Sequence, residues 1–151
     1  MRKVLICLTV AAAALLGSSF AQGGYWAGFS VGYPGAALHF GIDGISPGLA
    51  ARVNAGYNYI GTSFALGADL LYDLPVDTGT APIDVYVGGG VGLGIGAGVN
   101  VAVNAFAGGE FNLAQAGLPE GGVFLEAGPS LSFTPEFRLG IAAKLGFNYH
   151  F

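Results

Sequence analysis

The feature that most constrains this chain is a period of two. From Phe137 onward the odd positions are Phe137, Leu139, Ile141, Ala143, Leu145, Phe147, Tyr149 and Phe151. The even positions are Arg138, Gly140, Ala142, Lys144, Gly146, Asn148 and His150. Successive side chains of a strand point to opposite faces, so one face is wholly apolar and the other polar or small. Seven further segments repeat the pattern: 25–33, 38–43, 49–59, 63–73, 83–95, 99–113 and 123–133. Turn residues separate them, at Pro34-Gly35, Ser46-Pro47-Gly48, Gly61, 75–81, Gly96-Ala97-Gly98, 114–120 and Thr134-Pro135-Glu136. The pattern predicts eight strands, most reaching the ~9–11 residues that a tilted membrane strand needs. An even number of antiparallel strands closes without an open edge, which lipid requires.

The charges decide which face looks inward. Only 9% of the chain is charged, while 53% is hydrophobic and 28 of 151 residues are Gly. Soluble domains run near ~25% charged. An aromatic content of 13% argues against disorder, and the glycines follow no collagen period. A net charge of -4 gives no basic footprint for nucleic acid. A soluble barrel with the apolar face inward would leave a glycine and asparagine surface in water. It would also crowd many large side chains into a narrow lumen. The reverse assignment places apolar residues toward lipid and all nine strand charges inward. A Lys or Arg facing lipid at mid-bilayer costs ~2–4 kcal/mol, so the charges pin the register. Outward aromatics fall in two belts, Tyr25, Tyr72, Phe111, Tyr149 and Phe151 near one end, and Tyr33, Tyr57, Tyr59, Phe64, Phe133 and Phe137 near the other. A helix over Val85 to Gly109 is long enough to span, but its glycines recur at every second position from 88 to 96.

The N-terminus reads as an address. Arg2 and Lys3 precede an apolar run from Val4 to Gly17, and Ser19 and Ala21 are small residues at the two positions a signal peptidase reads. Residues 1–21 are expected to be a cleaved signal peptide and 22–151 the barrel domain. Cys7, the only cysteine, lies in the run, so the exported product would have no disulfide or Cys-ligated metal.

Matching strands across their turns gives an interior polar network of Asp43, Arg52, Asp69, Glu110, Glu126, Lys144 and Arg138. Asp43 is expected opposite Arg52, and Arg52 opposite Asp69, an acid–base–acid ladder on three neighbouring strands. Lys144 is expected diagonal to Glu126, with Glu110 one strand further. Pro129 lacks the amide hydrogen that a closed sheet uses, which predicts a bulge or a missing ladder bond. His39 and His150 are expected inward on different strands, His150 beside Trp26. No Ser or His sits on the lipid face of a strand, so no catalytic residue is assigned. No cofactor or metal site is assigned either.

The signal segment, the eight alternating strands and the glycine-rich strand Tyr86-Val87-Gly88-Gly89-Gly90-Val91-Gly92-Leu93-Gly94 carry a resemblance. With the terminal Phe151 they resemble the small bacterial outer-membrane β-barrels, the transmembrane domain of outer membrane protein A and its relatives, over essentially all of 25–151. The resemblance implies an all-β, eight-stranded, antiparallel up-and-down transmembrane β-barrel with both termini in the periplasm. It implies lipid of the outer membrane as surroundings and the outer-membrane assembly machinery as a partner. Phe147, Tyr149 and Phe151 look like the C-terminal signal that machinery takes. It implies no single activity. The chain departs from the pattern in its loops, because those expected to face outward are short and the longer ones, 75–81 and 114–120, periplasmic. The function expected is a structural, envelope-integrity role rather than an enzyme's. A narrow ion or small-solute pore is the alternative, and a surface-binding module the second, which short outer loops disfavour.

Overall fold

A computed structural model describes residues 24–134 and 136–151. The expected signal segment, with Cys7, lies outside the described residues. Eight strands form: β1 (Tyr25–Tyr33), β2 (Gly35–Ser46), β3 (Leu49–Asn58), β4 (Ser63–Asp73), β5 (Ile83–Ile95), β6 (Val99–Asn112), β7 (Gly121–Ser132) and β8 (Arg138–His150). Each pairs antiparallel with its neighbours in sequence, and β1 pairs with β8 from Trp26↔His150 to Tyr33↔Ala143, which closes the barrel. Residues 85–109, the candidate helix, lie in β5, the connection after it and β6.

Period-two sequence is what closure needs. Large apolar side chains stand outward, exposed along every strand: Phe29, Leu38, Val53, Phe64, Val91, Val103, Leu125 and Ile141 are examples, while Trp26, Tyr86, Phe106 and Phe124 are buried inside. Enough of the inward positions between them are Gly, Ala or Ser for eight strands to curl around a narrow lumen that also holds a few large side chains. Gly41 shows the need most sharply, since a Cβ there would enter the Trp26 ring.

Gly24 and Phe151 share one end of the barrel, where Tyr25 and Phe151 exchange backbone hydrogen bonds of 3.2 and 2.8 Å. At this terminal end the connections are 47–48, 74–82 and 113–120, the last with a 3-10 turn at Ala114–Ala116. At the far end they are Pro34 alone, 59–62, 96–98 and 133–137. Pro47-Gly48, with Gly48 at φ 70°, has the order of a type II turn. Asn58 Oδ1 accepts from the amides of Ile60 and Gly61, at 2.9 and 3.3 Å, in an Asx turn. The aromatic belts lie at the two ends. Tyr25, Phe40 and Phe151 cluster at the terminal end with ring centroids 5.9–6.4 Å apart. Tyr57 with Tyr59 and Phe133 with Phe137 pair at the far end.

Pro129 leaves a mark without a bulge. The β6–β7 register is the same on both sides of it, but the rungs between Asn104↔Ser130 and Ala107↔Ala127 are missing. The β7–β8 ladder runs unbroken through Pro129↔Ile141. The missing donor therefore faces β6. Pro129→Ala restores it. A hydrogen bond contributes ~0.5–1.5 kcal/mol, and the freer unfolded chain offsets ~0.4–1 kcal/mol of that. The expected result is a protected amide at position 129 in hydrogen exchange with little change in the urea midpoint. Free exchange there would mean that something other than proline parts the strands.

Candidate functional site

The inward charges meet at mid-height. Arg52 on β3 lies opposite Asp69 on β4, as the Gly61 turn predicts. Its Nε and Nη2 donate to Asp69 Oδ2 at 3.0 and 2.8 Å. Its other acid is Glu126 of β7, across the lumen, reached by Nη1 at 2.6 Å and Nη2 at 3.0 Å. Lys144 on β8 lies directly opposite Glu126, not diagonal to it, and closes the chain at 2.9 Å. Tyr86 Oη donates to Glu126 at 2.8 Å, and Asn54 Nδ2 donates to Asp69 at 2.8 Å. Arg52 and Glu126 are each 1% exposed. Buried charges must be paired, and here two acids and two bases balance. Phe106 lies beside both cations, 5.2 Å from Arg52 and 5.4 Å from Lys144.

Two expected members are elsewhere. Asp43 does not face Arg52; Gly41 does. The β2–β3 register shifts between Ile42↔Ala51 and Ser46↔Leu49, a bulge that places three residues of β2 against one of β3. Gly44, at φ 73°, makes that bend. The bulge carries Asp43 toward β1, where Trp26 Nε1 donates to it at 3.0 Å. The acid–base–acid ladder is therefore Asp69–Arg52–Glu126, with its second acid from the opposite wall. Arg138 is the other correction. It opens β8 at the far rim, where water reaches it, and pairs at 3.0 Å with Glu136 with 76% and 71% of the two side chains exposed. It takes no part in the interior network.

Glu110 anchors a second cluster at the terminal end. It accepts from His150 Nε2 at 2.7 Å and from Asn148 Nδ2. Asn148 Oδ1 meets His39 Nε2 at 2.7 Å. His150 lies against Trp26, and His39 packs edge-on to Trp26 and Phe124. Among the described residues no group of three His, Cys, Asp or Glu is placed to hold a metal ion.

The network divides the lumen in two. Toward the terminal end a cavity of about 130 Å³ is lined by Asp43, Asp73, Asp84 and Glu110, with Arg52 and Tyr86. Toward the far end a cavity of about 250 Å³ is lined mainly by Gly, Ala, Ser and Asn, with Asp69, Glu126 and Lys144 at its floor. Neither the Asn148–Glu110 bond nor the Arg52–Glu126 pair is legible from the hairpin turns, because each joins strands that are not neighbours in a hairpin. The assembly-signal residues lie at the terminal end of β8. Phe147 packs on Phe29, and Phe151 on Tyr25.

No family model matches the chain, and no curated protein matches it in sequence. Among solved structures it is similar to the N-terminal β-barrel domain of Pseudomonas aeruginosa OprF, with a TM-score of 0.56 and 14% identity over 85% of this chain and 96% of that one. The likeness is one of fold, a closed up-and-down barrel, and it is the fold that the resemblance to the small outer-membrane barrels implies.

Proposed function

We propose that this chain is an integral outer-membrane β-barrel protein with a structural, envelope-integrity role. The observation that carries this is the pairing of an uncharged apolar outer wall with a lumen blocked at mid-height. Exposed Val, Leu, Ile, Phe and Tyr side chains on all eight strands supply a wall suited to lipid. The Asp69–Arg52–Glu126–Lys144 chain, with Phe106 and Phe124 beside it, supplies the block between the two halves of the lumen. Nothing in this reading calls for catalysis or a cofactor. The far-end connections, none longer than 133–137, argue against a surface-binding module.

The second reading is a narrow cation pore. It is favoured by the carboxylates that line the terminal-end cavity. One sample distinguishes the two. Detergent-folded protein should run faster unboiled than boiled, as a closed barrel does, and should give no conductance step in planar bilayers. Discrete cation-selective steps would replace the structural role with the pore.

We also propose that Phe147, Tyr149 and Phe151 are read by the outer-membrane assembly machinery. Removing Phe151 is expected to lower the folded yield in the outer membrane severalfold, while refolding of the purified chain into detergent changes little. Normal yield in the membrane would end that assignment.

A further inference from the structure

We propose that the far-end half of the lumen is a binding cup for one small neutral polyhydroxylated solute, about the size of a single sugar ring. A narrow eight-stranded lumen is ordinarily filled by its own side chains. The terminal-end half is largely filled in this way, by Trp26, His39, Leu71, Tyr86 and Phe124, which leave about 130 Å³. The far-end half is not. Its walls carry residues such as Ala37, Gly56, Ala65, Gly92, Ala102 and Ala142, and they enclose about 250 Å³. That is just below the ~300 Å³ at which small-molecule pockets begin, enough for one ring and too little for an oligomer. The connections at that end are short, so nothing among the described residues roofs the mouth.

The floor holds unspent hydrogen-bonding groups of both senses. Asp69 has a side chain only 4% exposed, and all three of its hydrogen bonds fall on Oδ2, leaving Oδ1 without one. Lys144 uses one N–H on Glu126 and keeps two. Asn54 spends its amide donor on Asp69 and keeps its carbonyl oxygen. Ser30 and Asn104 line the cavity without a side-chain hydrogen bond among the described residues. Among the described residues no fully buried side-chain N or O lacks a partner, so each of these groups keeps some open surface, and each belongs to a residue that lines the cavity. Donors and acceptors are mixed, and Asp69, Arg52, Glu126 and Lys144 cancel in charge. An ion of either sign gains little from such a floor, and each would have to compete with existing ion pairs. A polyol satisfies both senses at once and lays its C–H faces on the alanine methyls.

The test is a titration of the detergent-folded full chain with D-glucose, read by NMR of carbon-labelled alanine methyls. Saturable shifts are expected at Ala37, Ala65, Ala102 and Ala142, and none at Ala50, which lies in the terminal-end cavity. Gly92→Phe fills the cup. A Cβ at Gly92 meets nothing nearer than Leu66 O at 3.8 Å, so the variant should fold and retain its gel shift while losing the response. Asn104→Ala should weaken the response severalfold. Shifts that never saturate, or that persist in Gly92→Phe, would overturn the site. Saturation by glycine betaine or acetate but not by glucose would overturn the ligand class.

Discussion

Replacing Arg52 by Met is expected to destabilise the folded barrel by ~3–5 kcal/mol, the range for breaking a buried ion pair from one side. The variant keeps most of the side-chain volume and removes only the guanidinium. Asp69 and Glu126 are then left inside the wall with Asn54, Tyr86 and Lys144 as their remaining partners. Urea unfolding in micelles, followed by the gel shift, measures the loss. The double variant Arg52→Met, Asp69→Asn should recover a large part of it, because Glu126 keeps Lys144 as its counter-ion and no uncompensated charge remains. The control is Arg138→Met at the exposed rim pair. Exposed pairs contribute ~0–1 kcal/mol, so its midpoint should barely move. Equal effects at Arg52 and Arg138 would mean that the interior network does not hold the barrel together.

These two arginines also show what can be read from a sequence like this one. Alternation defines strands and faces because burial on a two-sided sheet imposes it, and β1 to β8 lie within a few residues of the segments it marks. Hairpin turns carry register, so Arg52 opposite Asp69 is legible from the length of chain between them. The limits are equally physical. A bulge consumes residues without disturbing composition, and only Gly44 hints that Asp43 turns away from Arg52. Parity says which face a residue takes but not its height, so Arg138 reads as interior when it stands at the rim. Contacts across the lumen depend on closure and stagger, which no single hairpin contains. Arg52 with Glu126 and His39 with Asn148 are both of that kind.

A charge placed on the outer wall tests the other half of the argument. Val91 is outward on β5, 58% exposed, and pairs with Ala68 near the middle of β4. Val91→Arg is expected to cost ~2–4 kcal/mol in a lipid bilayer, measured by reversible unfolding from vesicles. The same guanidinium at Asn100 is the comparison. Asn100 is next to the far-end turn on the inward face, one residue from outward Val99. Asn100→Arg should change stability by ~0.5 kcal/mol or less, as surface changes do. The contrast separates two explanations of an exposed apolar belt. A wall that faces lipid penalises charge by depth and face, so Val91→Arg is severe and Asn100→Arg mild. A wall that is apolar because it packs on a protein partner would leave the purified chain indifferent to both. In that case the period of two would still describe a barrel, but the solvent for which it was built would not be lipid.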